Sequence, residues 1–164
     1  MNICFLGHSS VLKPCELSIK LREVIENLTG GRACTFYFGG YGEFDEMALA
    51  ESKKVKSTLH RDIELIFMTP YITENYQKRL ADIEKNYDAV VYPEIERVPY
   101  RFAISARNKC MIEASDVVIA YINRDFGGAY KSILHALRLK KKIINLGSYE
   151  SFGITNYVGL SGAK

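Results

Sequence analysis

Short apolar runs alternate with longer stretches of helical period from residue 2 to residue 146. Asn2 to Leu6 reads as a strand. From Glu16 to Leu28, the residues Leu17, Leu21, Val24, Ile25 and Leu28 recur at helical spacing, and Thr29-Gly30-Gly31 ends that helix because glycine takes the left-handed cap conformation readily. Cys34 to Phe38 reads as a second strand, Phe44 to Leu59 as a second helix, and Ile63 to Met68 as a third strand stopped by Thr69-Pro70. Glu74 to Tyr87 places Tyr76, Leu80, Ile83 and Tyr87 on one helical face, Asp88 to Tyr92 makes a fourth strand, and Pro93 to Pro99 is irregular. A helix over Phe102 to Ala114, a strand over Asp116 to Ile122, a helix over Tyr130 to Lys141 and a strand over Lys142 to Leu146 complete the series.

The strands ICFL, LIFM, VVIAYI and IINL are apolar throughout, without alternation, as strands covered on both faces should be. The expected fold class is therefore α/β, a Rossmann-like three-layer sandwich with a mostly parallel sheet of five to six strands and helices on both faces. Residues 1–146 form the expected domain. Residues 147–164 read as a tail that packs on the domain or on a second subunit.

Composition adds mainly exclusions. At 164 residues, 48% hydrophobic and 25% charged, the chain suits one globular domain and rules out wholesale disorder. Its net charge is +3: residues 1–82 carry 10 basic and 11 acidic groups, and residues 83–164 carry 12 and 8. So weak a tilt does not point to nucleic acid or to an anionic membrane. The apolar runs are far shorter than the ~20 residues of a membrane helix, and MNICFLGHSS lacks the basic-then-apolar order of a signal peptide, so the chain reads as cytoplasmic. Cys4, Cys15, Cys34 and Cys110 show no metal-ligand spacing, and three of them fall on apolar positions of predicted elements. Buried thiols, with no metal and no cofactor, are the expectation.

In a parallel sheet, ligands bind at the carboxyl ends of the strands, where helix N-termini and free N–H groups point into one crevice. The loops expected on that rim are Gly7-His8-Ser9-Ser10, Gly39-Gly40-Tyr41-Gly42-Glu43-Phe44-Asp45, Thr69-Pro70-Tyr71 and Asn123-Arg124-Asp125-Phe126-Gly127-Gly128. Gly39, Gly40 and Gly42 let a phosphate or ribose approach the main chain, with Asp45 on ribose hydroxyls and Tyr41 or Tyr71 on a base; the same loop also reads as a tight turn with Asp45 capping a helix. Gly127-Gly128 opens another helix. Arg107, beside Asn108, sits near a core-facing stripe, where an arginine either snorkels or pairs with an anion. His8 is a polar contact or a loop hydrogen bond, and Arg138 to Lys142 is explained by the helix dipole at a C-terminus.

Taken together, Gly39-Gly40-Tyr41-Gly42-Glu43-Phe44-Asp45, Arg101 to Asn108, Ser115 to Tyr121 and Gly127 to Ala129 resemble the SLOG superfamily (SMF/DprA-LOG), Rossmann-like nucleotide-binding domains. The pattern is most similar to the small single-domain members of Gram-positive bacteria and their phages. That superfamily includes the Lonely Guy phosphoribohydrolases, the DNA-processing protein A fold and sensor domains of Thoeris-type immune effectors. The resemblance to Lonely Guy enzymes is partial. The arginine of their MHxRK motif falls on Arg107 but the histidine on Ser105; in PGGxGTxxE two glycines match Gly127 and Gly128, the third falls on Tyr130 and the catalytic glutamate on Leu134.

The resemblance implies a domain that binds a nucleotide-derived ligand, ADP-ribose-like or a cyclic nucleotide signal, as a stand-alone sensor or as a phage protein that sequesters a defence signal. Gly7, His8, Ser9, Gly39, Gly40, Tyr41, Gly42, Asp45, Thr69, Tyr71, Arg107, Asn108, Asn123, Gly127 and Gly128 are the expected ligand-binding residues. On this reading Arg107→Ala weakens binding and leaves stability nearly unchanged. The alternative is a Lonely Guy-like nucleotide N-glycosidic hydrolase or transferase with Asp45 or Glu46 as the carboxylate. Nucleic acid and membrane are not expected partners. A homo-oligomer is.

Overall fold

Residues 1–59, 62–74, 78, 81 and 83–157 are described by the computed structural model. Its elements run β1 (Asn2–Gly7), α1 (Pro14–Thr29), β2 (Cys34–Phe38), α2 (Glu43–Thr58), β3 (Ile63–Met68), β4 (Ala89–Val91), a 3-10 turn (Tyr100–Phe102), α3 (Ala103–Ala114), β5 (Val117–Tyr121), α4 (Gly128–Arg138), β6 (Lys142–Asn145) and β7 (Thr155–Asn156). Of the helix expected over 74–87, Glu74, Lys78, Ala81, Ile83 and Glu84 are helical, and Tyr76 and Leu80 lie outside the described residues.

The strands form one sheet in the order β4-β3-β2-β1-β5-β6-β7, and every pairing is parallel. The expected count of five to six strands is corrected to seven among the described residues. The additional strand comes from the tail: Thr155 and Asn156 pair with Ile144 and Asn145, and the Tyr157 hydroxyl donates to Glu23 Oε2 at 3.0 Å. Two paired residues between Ile154 and Tyr157 are too few to carry a strand period of their own, so only the free edge of β6 determines that strand.

Strand period divides the core into two layers. Ile3 and Phe5 of β1 pack with Leu21, Ile25, Phe36, Phe38 and Phe44 on the α1/α2 side, whereas Cys4 and Leu6 pack with Met111, Ile112, Val118 and Ile133 on the α3/α4 side. Both faces of the central strands are therefore apolar, which is why their sequences do not alternate. Helix ends follow local chemistry. Gly30 is left-handed and its N–H donates to Glu26 O at 3.2 Å, while α4 stops at Arg138, short of the expected Lys141, with Lys140 in a left-handed turn. All four cysteines are free: Cys4 and Cys34 are buried and Cys110 half-buried, but Cys15 is exposed in the first turn of α1.

Strand order reverses at the β1/β5 neighbourhood, since the chain steps outward through β2, β3 and β4 on one side and through β6 and β7 on the other. The loops leaving β1 and β5 diverge there and open a crevice at their carboxyl ends.

Candidate functional site

The crevice is a cavity of about 280 Å3. Leu6, Gly7, His8 and Ser9 enter it from the end of β1; Gly39, Tyr41, Gly42 and Asp45 from the β2–α2 loop and first turn of α2; Ile104, Arg107 and Asn108 from α3; and Arg124, Gly127, Gly128 and Ala129 from the β5–α4 loop. Both glycine corners thus face one cavity.

Hydrogen bonds stitch the first corner to the loop after β1, and that loop to the end of β5. Glu43 N–H donates to Ser9 O at 2.9 Å, Val11 N–H to Glu43 Oε2 at 2.7 Å, and His8 N–H to Tyr121 O at 3.1 Å. The first turn of α2 also carries Glu43, Asp45 and Glu46, so its own carboxylates complement the positive end of the helix dipole. The first turn of α4 has no acidic residue.

Arg107 is 1% exposed, and its Nη1 donates to Gly39 O at 2.6 Å and Met68 O at 2.7 Å, joining the ends of β2 and β3. A Cβ on Gly39 would lie 2.7 Å from that nitrogen, so glycine at 39 makes room for the guanidinium. The Arg107 Cζ lies 5.7 Å from the Tyr41 ring centroid. Arg107 borders the cavity, but its Nη1 is committed to the fold, so Arg107→Ala is expected to cost stability as well as any binding.

Asp45 is 7% exposed and lies within α2, not at its cap, which is Gly42. Its Oδ2 accepts the Tyr41 N–H at 2.9 Å, and buried Oδ1 has no hydrogen-bond partner. Burial pushes the carboxyl up to about 6, against the opposing pull of the Tyr41 N–H and of the Arg107 charge. His8 is 6% exposed with Nε2 unpartnered, and burial together with the Arg124 charge holds the imidazole below its ordinary value, hence neutral at pH 7. Two orphaned buried polar atoms thus belong to residues of one cavity wall.

Other expected residues lie outside the cavity lining. Gly40 backs onto Phe67, where a Cβ would come within 2.6 Å of the ring. Thr69 is buried and its hydroxyl donates to Tyr71 O at 2.8 Å, while the Tyr71 ring stacks on Tyr100 at 4.4 Å between centroids. Asn123 Oδ1 accepts the Ser148 N–H at 2.8 Å and borders a separate recess beside α1. Glu46 is exposed and does not line the cavity. Sequence reasoning missed Leu6, Ile104, Arg124 and Ala129 as lining residues. Arg124 was legible as part of the loop after β5; Ile104 was not, because an apolar residue beside Arg107 reads as part of the helix's core-facing stripe.

No family model matches the sequence, and no curated protein matches it. Solved structures do match the fold. The chain is similar to DNA processing protein A from Helicobacter pylori, whose structure is described for its single-stranded DNA binding mode, at TM-score 0.62 and 19% identity, covering 93% of this chain and 69% of that one. It is similar to DNA processing protein A (DprA) from Streptococcus pneumoniae at TM-score 0.63 and 16% identity, covering 93% of this chain and about half (52%) of that one. The molybdenum cofactor carrier protein from Chlamydomonas reinhardtii matches at TM-score 0.55 and 14% identity, covering 88% and 74%. The Rossmann-like fold implied by the SLOG resemblance is therefore the fold of this chain. Among the described residues no helix is long and apolar enough to cross a membrane.

Proposed function

We propose that the cavity at the β1/β5 switch point binds a phosphate-bearing, nucleotide-derived small molecule. The observation that carries this reading is the second glycine corner. A Cβ placed on Gly127 or Gly128 would meet no atom within 4 Å, so the start of α4, free of acidic residues, stands open to the cavity mouth with its N–H groups and dipole. Exposed Arg124 adds charge beside it. Asp45 and His8 line the cavity as the polar residues nearest to where a ribose would pack, and Tyr41 offers a face to a base. At about 280 Å3 the cavity sits at the small end of ligand pockets, which suits a mononucleotide-sized group more than a whole dinucleotide.

Within this reading, an ADP-ribose-like or cyclic nucleotide signal held by a stand-alone sensor, or sequestered by a phage protein, is the narrower form that the SLOG resemblance suggests. Binding is favoured over hydrolysis because Asp45 is the one carboxylate among the lining residues, whereas N-glycosidic chemistry of the two-carboxylate kind needs a partner acid. Native mass spectrometry of the purified chain tests the proposal. A retained nucleotide or sugar phosphate, lost in Gly128→Val, is expected; affinities for AMP, ADP-ribose and ribose 5-phosphate that Gly128→Val leaves unchanged would overturn it. The same spectrum gives the subunit count, for which a homo-oligomer is the proposal.

A second reading is single-stranded DNA binding, prompted by the first neighbour and by exposed aromatics beside arginines: Arg101 over Phe102 at 4.7 Å and Arg124 over Phe126 at 4.8 Å. Its signature is oligonucleotide affinity that falls steeply with salt.

A further inference from the structure

Another recess, of about 250 Å3, lies between α3 and α4 and is lined by six polar residues, Ser105, Lys109, Lys131, Ser132, His135 and Arg138, with Leu134 beside them. Four of these six residues are basic and none is a carboxylate. Lys109, Lys131 and Arg138 are exposed, and among the described residues none of the three forms an ion pair. Lys131 sits in the first turn of α4, where the helix dipole disfavours a cation. Like charges gathered around one recess repel each other, and an anion between them removes that penalty.

The floor and ends of the recess are fixed. Buried Ser132 donates to Gly128 O at 3.0 Å and accepts from Asn108 Nδ2 at 3.3 Å. Toward the end of α3, Glu113 Oε1 lies 3.1 Å from His135 Nε2 and places an acid beside the basic row. The neighbouring basic run does not extend the site. Lys141 Nζ donates to Glu113 O at 3.0 Å and Ser115 O at 2.7 Å, and Lys140 occupies a left-handed turn, so of Arg138 to Lys142 only Arg138 lines the recess. Lys131, His135 and Arg138 follow one helix face over seven residues, about 10 Å of axis, which is more than a single phosphate can bridge.

From this geometry we infer that the α3/α4 recess is a second anion site, distinct from the cavity, that takes a short polyphosphate chain, free or carried on a nucleoside. Isothermal titration of the full chain with inorganic tripolyphosphate at fixed ionic strength, with ATP as a second arm, tests it. Lys109→Gln/Arg138→Gln is expected to weaken tripolyphosphate binding at one site at least tenfold with little change in Tm, because both side chains are exposed, and Gly128→Val is expected to leave that site intact. Whichever of tripolyphosphate and ATP loses more affinity in the double variant names the source of the chain. Tripolyphosphate binding unaffected by the double substitution, or absent from the wild type, would overturn the inference. So would a single-stranded oligonucleotide that displaces tripolyphosphate with affinity rising with its length, since the recess would then serve a strand.

Discussion

At the first glycine corner a Cβ on Gly39 would sit 2.7 Å from Arg107 Nη1, and one on Gly42, at φ 89°, 2.6 Å from Ser9 Cα; at the second, a Cβ on Gly127 or Gly128 would meet nothing within 4 Å. Both corners follow a strand, open a helix and border the same cavity. Yet the first is closed, its own protein pressing against the glycines, while the second is open, with Gly127 set by its φ of 97° and no atom against either glycine. A glycine pair in a sequence reports a missing Cβ, not what occupies the room. Helix charge follows the same division: α2 supplies its own acids at the closed corner, and the first turn of α4 has none.

The largest effect that separates the corners is expected from Arg107→Ala. Its loss leaves the Gly39 and Met68 carbonyls buried without their charged donor and opens a cavity, a cost of roughly 3 kcal/mol or more, measured by denaturant unfolding. A change below about 1 kcal/mol with ligand affinity lost would instead return Arg107 to the anion site. Next in size, Gly39→Ala should destabilise by about 1–3 kcal/mol through the clash with the guanidinium. The matching change at the open corner, Gly128→Ala, should shift Tm little or raise it slightly, because alanine is the better helix former and meets no neighbour. Equal losses at the two positions would erase the distinction between them.

A smaller effect tests the closed corner by pH. The folded pKa of Asp45, about 6, lies above the ordinary carboxylate value, so the folded state holds this proton more tightly than the unfolded one. Its contribution to stability is complete below about pH 4 and declines as pH rises through 6. Glu51 and Asp88 are shifted the other way by their lysine and arginine partners despite burial, and lose stability on acidification instead. Asp45→Asn should therefore remove a decline in stability between about pH 4 and 6, seen in urea midpoints; a decline that persists in the variant would assign the effect elsewhere.

Most of the fold is legible along the chain. Runs such as Val117–Tyr121 are apolar at every position, and α1 shows its helical stripe and its glycine cap, because burial on two faces and capping are local demands that residue types must meet. The short β7 is not legible, since its two residues become a strand only by meeting the edge of β6. The site is legible as a set of loops on one rim, but membership was decided by packing. Gly127 and Gly128 line the cavity, as does Asp45, while Gly40 turns to Phe67, Tyr71 stacks on Tyr100 and Asn123 belongs to another recess.

What the amino-acid sequence determined by itself is therefore the parallel α/β layering and the placement of polar, glycine-rich loops after the strands, because period and turn chemistry act over a few residues. Only the tertiary structure decided that Arg107 joins two strand ends, that one glycine corner is filled and the other open, and that four basic residues from two helices share a recess. These depend on atoms distant along the chain coming within a few ångströms, and the identity of such neighbours is fixed by how the layers pack.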